Sequence, residues 1–208
     1  MTRIRVIAVW SLTVFRAIAG TAPWVALALH APIWIPAALI PLALASDIFD
    51  GILARRWGIA STRLRRADGW ADLCFVLSYT AFCLLFRQET LAPYAMPIAG
   101  LALLKLAATT QDFLRYGRGA AFHFWSAKLW ALPYYALLFE LIADTGTAWF
   151  FWPTFIMGLI AIAEEMVAVR LIPVWMHDQP HILAALRAAR KAQAGRVTLL
   201  PGECRDAA

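Results

Sequence analysis

Charge is what this sequence has least of. Lys, Arg, Asp and Glu make up 15% of its 208 residues, where a soluble domain carries about a quarter. With 62% hydrophobic residues and a mean hydropathy of +0.66, that shortage excludes a water-soluble globule and makes the chain an integral membrane protein. Cysteine is scarce as well. Cys74 and Cys83 lie inside one apolar run and Cys204 in the tail, a pattern with no metal-ligand spacing and no disulfide framework, so all three read as ordinary thiols. His123, His177 and His181 show no metal-like grouping and read as interfacial residues. There is no repeat, no low-complexity tract and no sign of a second globular domain.

Such charge as there is has a strong sign. Nineteen Lys and Arg against 13 Asp and Glu give a net charge of +6. The positives stand beside apolar runs, so they read as topology signals and contacts to anionic lipid, and no nucleic-acid partner is expected. The ten tryptophans read as an aromatic belt at the membrane interfaces.

A membrane-spanning helix needs about 20 mostly apolar residues. Six segments qualify, near residues 13–30, 32–54, 70–86, 91–113, 125–143 and 149–171. The expected fold is all-α, a bundle of six transmembrane helices, with residues 2–12 as a short basic-apolar helix on the membrane surface. Arg3 and Arg5 ahead of an apolar stretch, with Ala26-Leu27-Ala28 behind it, outline a signal peptide, but Arg16 interrupts the stretch and a retained first helix is expected. Arg55, Arg56, Arg63, Arg65, Arg66, Arg115 and Arg118 share one side with both termini, whereas the opposite loops hold Arg87, Glu89 and Asp144. The charge asymmetry predicts a multi-pass protein of the cell membrane with both termini in the cytoplasm. Residues 1–172 form the expected membrane domain. Residues 173–208 are a cytoplasmic tail, in which Asp178 and Pro180 announce a short basic helix from His181 to Gln193.

Acidic residues concentrate where two of the expected helices meet the water. Asp47-Ile48-Phe49-Asp50-Gly51-Ile52-Leu53-Ala54-Arg55 is followed by a basic segment and then by Asp68-Gly69-Trp70-Ala71-Asp72. Asp47, Asp50, Gly51 and Ala54 fall at i, i+3, i+4 and i+7 and share one helix face; Asp68 and Asp72, at i and i+4, share a face of the next. A charge at mid-helix costs roughly 2.5–3.5 kcal/mol on insertion scales, less near the interface. Four like charges there need an opposing one. A hard divalent cation with oxygen ligands suits them; arginine pairing, with Arg55 or Arg56, is the other solution.

This stretch resembles the signature of the CDP-alcohol phosphatidyltransferase family, Asp-x2-Asp-Gly-x2-Ala-Arg, eight residues, Gly-x3-Asp-x3-Asp. Asp47, Asp50, Gly51, Ala54, Arg55, Asp68 and Asp72 match in place, and the second glycine is replaced by Leu64. Thr13 and Arg16 match a Thr-x2-Arg element on helix one, with Trp10 where an asparagine usually stands, and Ser126-Ala127-Lys128 is a reduced form of a Ser-x2-Gly-Lys element. The resemblance implies transfer of a phosphatidyl or related phosphoryl group from a CDP-linked lipid donor to an alcohol, with release of CMP, by a homodimer engaged in phospholipid biosynthesis. It also implies that Asp47, Asp50, Asp68 and Asp72 hold two Mg²⁺ or Mn²⁺ ions and that Asp72 is the general base. Gly51, Arg55, Ser61, Thr13 and Lys128 are the implied substrate contacts, with Arg16 either sharing in this or snorkelling to the interface. At Leu64 two outcomes compete: the side chain fills space a nucleotide would use, or the loop shifts and Arg65 and Arg66 supply phosphate contacts. A catalytically weak member that binds CDP-lipid or metal without useful turnover is the alternative. Glu164 and Glu165, expensive in lipid, are expected to pair structurally with a basic group such as Arg170, and Lys105 and Asp112 to make interhelical polar contacts.

The loop charges generate a topology prediction. In a cysteine-free background, single cysteines at residues 63–66 should react with an impermeant thiol reagent only from the cytoplasmic side, and one beside Glu89 only from the other. Reversed labelling would put the aspartates on the wrong face for a cytoplasmic nucleotide donor.

Overall fold

The structure, a computed structural model, describes residues 2–59, 62–117, 124–172 and 181–193. Among them the chain is helical, with no strand. In order come α1 (Thr2–Ala19), α2 (Ala22–Ala28), α3 (Trp34–Arg56), α4 (Thr62–Phe86), the short α5 (Gln88–Leu91), a 3₁₀ turn (Ala92–Tyr94), α6 (Ala95–Tyr116), α7 (Trp125–Ile142), α8 (Phe151–Leu171) and α9 (Ile182–Gln193).

Among the described residues, three stretches are long and apolar enough to cross a membrane: Trp34–Ala54, Ala67–Phe86 and Gln88–Tyr116. Counting α1 and α2, which meet at a 45° bend, as one span makes four. Six were expected. Helices α7 and α8 occupy the other two positions but carry Lys128 and Glu140, and Glu164, Glu165 and Arg170, within them, and they fall outside that count. The expected separate surface helix over residues 2–12 is instead the first half of α1. No glycine or proline interrupts the chain before Gly20, so the helix runs through to the bend there.

The chain divides into two compact units, Met1–Pro93 with Tyr135–Phe150, and Tyr94–Tyr134 with Phe151–Ala208. In the first, α1 packs on both α3 and α4. The buried face of α1 is Val9, Thr13, Arg16 and Ala19, continued by Gly20 just past its end, while Ile4, Ile7, Val14 and Ile18 point outward. Polar inside and apolar outside is the arrangement a lipid solvent favours, since only buried polar groups there find partners. On α3 the inward stripe is Ala37, Ile40, Ala43, Ser46, Asp50 and Ala54, mostly small residues that let helices approach closely. Helix α3 then stops at Gly58, whose φ of +64° suits glycine; the Ile59 amide donates back to the Ala54 carbonyl, closing the end. The α4 stripe is Leu64, Ala71, Phe75, Tyr79 and Phe82, in step with Asp68 and Asp72. Phe75 stacks on Tyr79 at 4.4 Å and on Tyr135 at 5.9 Å, and the Tyr79 hydroxyl donates to the Pro36 carbonyl at 3.0 Å.

In the second unit α6 packs on α8, and α8 on α9. Lys105 on α6 pairs with Glu165 on α8 at 2.7 Å, and the Gln111 side chain donates to the Met166 carbonyl. Glu164 accepts from the Ser126 hydroxyl at 2.5 Å and from the Ile182 amide at the start of α9. Structural pairing was expected of both glutamates; the partners are Lys105, Ser126 and a backbone amide rather than Arg170. The basic helix expected in the tail is α9, and it buries Ala185 and Ala189 against Phe124, Ala168, Val169 and Ile172. Its first turn is held by His181, whose Nδ1 accepts from the Ala184 amide. His123 and His177 lie outside the described residues.

One glycine decides how α1 meets α4. A Cβ on Gly20 would sit 3.2 Å from the Phe75 Cα and 3.3 Å from the Ala17 carbonyl oxygen, both backbone atoms that cannot swing away. Ser78 ties the same spot, donating to the Gly20 carbonyl at 2.5 Å and accepting from Trp24. Gly20→Val should therefore destabilise the protein by about 1–3 kcal/mol, as overpacking does, with Gly20→Ala losing less. Thermal unfolding in detergent checks this; an unchanged midpoint for the valine variant would show that α1 does not approach α4 this closely.

Candidate active site

Five ionisable side chains from three helices converge in the first unit. Asp47 and Asp50 come from the last turns of α3, Asp68 and Asp72 from the early turns of α4, and Arg16 reaches them from α1. The convergence follows from the stripes. Asp50 is one turn before Ala54 on the α3 face that meets α1, Asp68 and Asp72 continue the α4 face of Leu64 and Phe75, and Arg16 lies between Thr13 and Ala19 on the buried face of α1.

Arg16 does not snorkel. Its side chain is 0% exposed and forms ion pairs with all four carboxylates. Nη1 donates to Asp47 and, at 2.5 Å, to Asp72; Nη2 donates to Asp50 at 2.5 Å and to Asp68. Each terminal nitrogen thus joins one carboxylate of α3 to one of α4. The Nε is buried and makes no hydrogen bond among the described residues, an omission that typically costs about 1–3 kcal/mol. Depth grades the acids: the Asp50 side chain is 5% exposed and that of Asp47 is 39% exposed.

One guanidinium against four carboxylates leaves three negative charges when all are ionised. At an effective dielectric near 20, two like charges about 5 Å apart repel by about 3 kcal/mol. The cluster therefore stays strongly attractive to further cations. Carboxylate oxygens of Asp47, Asp50 and Asp68 lie within 4.8 Å of one another, a spread that one coordination sphere of a hard divalent ion can gather. The donor set fits such an ion.

One turn outward lies an apolar layer of Val9, Ala54 and Leu64, with Leu53, Trp57 and Ile59 against it. Leu64 is thus packed beside α1 and α3, and Arg5 stands 5.8 Å over the Trp57 ring. Thr13 is buried between this layer and Arg16, its hydroxyl donating to the Val9 carbonyl at 3.4 Å. Gly51 is half-buried on the same α3 face. Lys128 belongs to the second unit, exposed at the start of α7 and 5.5 Å over the Trp125 ring. Ser61 lies outside the described residues, as do the side chains of Arg55, Arg65 and Arg66.

The four aspartates meet, as their spacing predicts, and the arginine among them is Arg16; the expected alternative to a metal was pairing with Arg55 or Arg56, and the Arg55 side chain lies outside the described residues. The missed signal was the position of Arg16, alone among apolar residues and at helical spacing from Val9, Thr13 and Gly20. Glu140 was missed altogether. It is buried near the end of α7, accepts from the Thr147 hydroxyl at 2.6 Å and from the Trp149 and Phe150 amides, and so organises the turn into α8.

Excess negative charge makes a testable statement about Asp47. Asp47→Asn keeps an acceptor for Arg16 while removing repulsion from three neighbours. In the absence of divalent ions its melting midpoint should rise by about 2–4 °C at low salt, corresponding to roughly 1 kcal/mol, and the gain should shrink as salt screens this part-exposed site. A fall would mean that the Asp47 charge serves chiefly to pair with Arg16.

The sequence model of the CDP-alcohol phosphatidyltransferase family matches residues 10–163, which include Thr13, Arg16 and all four aspartates. No curated protein and no solved structure matches the chain.

Proposed function

The chain belongs to the CDP-alcohol phosphatidyltransferase family, and we propose that it moves a phosphatidyl or related substituted phosphoryl group from a CDP-linked lipid donor, such as CDP-diacylglycerol, to an alcohol, releasing CMP. Membership makes it a transferase acting on a CDP-alcohol, in phospholipid biosynthesis; the donor lipid and the active chemistry are the proposal. The observation that carries it is the meeting of Asp47, Asp50, Asp68 and Asp72 at one point between α3 and α4. The family uses divalent metals, and this cluster has the donors for them.

Asp47, Asp50, Asp68 and Asp72 would hold the ions, two Mg²⁺ or Mn²⁺ in this reading. When bound, such ions neutralise the charge on the diphosphate and on the departing phosphate. The protein's own part is to orient and to move a proton. The acceptor hydroxyl oxygen attacks the phosphorus bonded to the lipid group, the bond from that phosphorus to the CMP oxygen breaks, and CMP leaves with the electron pair. Asp72, part-exposed where Asp50 is buried, takes the hydroxyl proton as general base. Gly51 allows a close backbone approach. Arg55, Ser61 and Thr13 would contact the donor, and Lys128 the acceptor phosphate or lipid. We place the aspartates on the cytoplasmic side with both termini, read residues 1–172 as the membrane domain and 173–208 as the cytoplasmic tail, and expect a homodimer.

A second reading, a weak catalyst that binds donor or metal without useful turnover, is favoured by two features: Arg16 already engages all four carboxylates, and Leu64 stands where the motif has glycine. One assay separates the two readings. Purified protein in detergent is given CDP-diacylglycerol, Mg²⁺ or Mn²⁺ and a panel of alcohols, and CMP release is measured. Activity with one acceptor is expected, and Asp72→Asn should lose about 10²–10⁴-fold in rate, the usual contribution of a general base, while still binding donor. Donor binding without CMP release from wild type would select the second reading, and near-normal turnover by the variant would move the base elsewhere.

A further inference from the structure

We propose that Arg16 is the resident counter-cation of the four aspartates and competes with divalent ions for them, so that metal loading is an exchange in which the guanidinium gives up its carboxylates. The inference rests on the reading of these aspartates as a metal site and adds a residue that sets how readily the site fills.

Three observations carry it. Every carboxylate in the cluster that fits a divalent ion is already hydrogen-bonded to Arg16. An ion and the guanidinium therefore draw on the same three carboxylates, and each oxygen that Arg16 holds is a poorer ligand while it is held. The guanidinium is also a poor permanent neutraliser: it brings one positive charge to four negative ones, and its buried Nε has no partner among the described residues. Finally, its two terminal nitrogens each bridge α3 to α4. Before metal arrives, Arg16 therefore holds two acidic helix faces together that would otherwise repel. An ion of charge +2 that takes over this task neutralises more and frees the arginine, and the exchange lowers apparent metal affinity by whatever the arginine pairing is worth.

The test measures Mn²⁺ binding to the full chain in detergent, by the loss of the free-ion electron paramagnetic resonance signal, for wild type, Arg16→Gln and Arg16→Lys. Glutamine removes the competing charge, and the dissociation constant should fall about tenfold or more, a common size of coupling between competing states. The glutamine variant should also melt lower than wild type without metal and recover with Mn²⁺. Lysine keeps a cation but offers one ammonium, which cannot span four carboxylates as the planar fork does, so its affinity should lie between the other two. Should the glutamine variant fail to fold, the lysine variant against wild type decides. Equal Mn²⁺ affinity in every folded variant would overturn the competition and leave the metal site standing. Absence of Mn²⁺ binding from wild type and variants alike would overturn both the competition and the metal reading beneath it.

Discussion

Four carboxylates share one guanidinium in a helical bundle that shows its apolar residues to the outside. That imbalance is the constraint from which the first unit can be understood. A buried ion pair rarely adds net stability, because desolvation consumes most of the attraction. Here the negative side is in excess, so the site is held in place by the packing around it. The arrangement is strained in the sense that function-bearing sites often are, with stability given up locally and recovered elsewhere.

The recovery is visible in how the three helices are built. Gly20 lets α1 lie against the α4 backbone beside Phe75, and Ser78 and Trp24 hold the bend there. Alanines and Ser46 line the inner face of α3. Phe75, Tyr79 and Tyr135 stack beneath the acids, and Val9, Ala54 and Leu64 close over them. The acids thus lie between an aromatic floor and an aliphatic layer, and Arg16 is the polar link among all three helices. A low-dielectric frame of this kind strengthens whatever charge interaction it encloses, whether the partner is an arginine or a metal ion.

Much of this was legible in the sequence, for reasons that differ by residue. Asp47, Asp50, Asp68 and Asp72 are expensive in an apolar helix, and their spacing places each pair on a single face, so their convergence could be read before any coordinates. The helix segments could be read for the same reason, since long apolar runs have few alternatives in lipid. The partner of the acids was harder. Arg55 and Arg56 are near in sequence, whereas Arg16 is 31 residues from Asp47 and 56 from Asp72, and pairing at that range depends on tertiary packing. Three or four of the six expected spans are long and apolar enough among the described residues; α7 and α8 carry internal charges whose cost depends on partners such as Lys105 and Ser126, so length and composition alone do not decide them. The tail helix was legible from its composition, but the contacts of Ala185 and Ala189 with α8 were not, because alanine at those positions suits a free helix equally well.

The central claim is that the aspartates converge in order to hold cations that act on a CDP-linked donor. Crystals of the protein grown with Mn²⁺, examined by anomalous scattering at the manganese edge, test it most directly. The expected result is two manganese peaks bounded by Asp47, Asp50, Asp68 and Asp72, with the Arg16 guanidinium withdrawn from at least some of them. No manganese at the cluster, with Arg16 still bridging all four carboxylates, would contradict it.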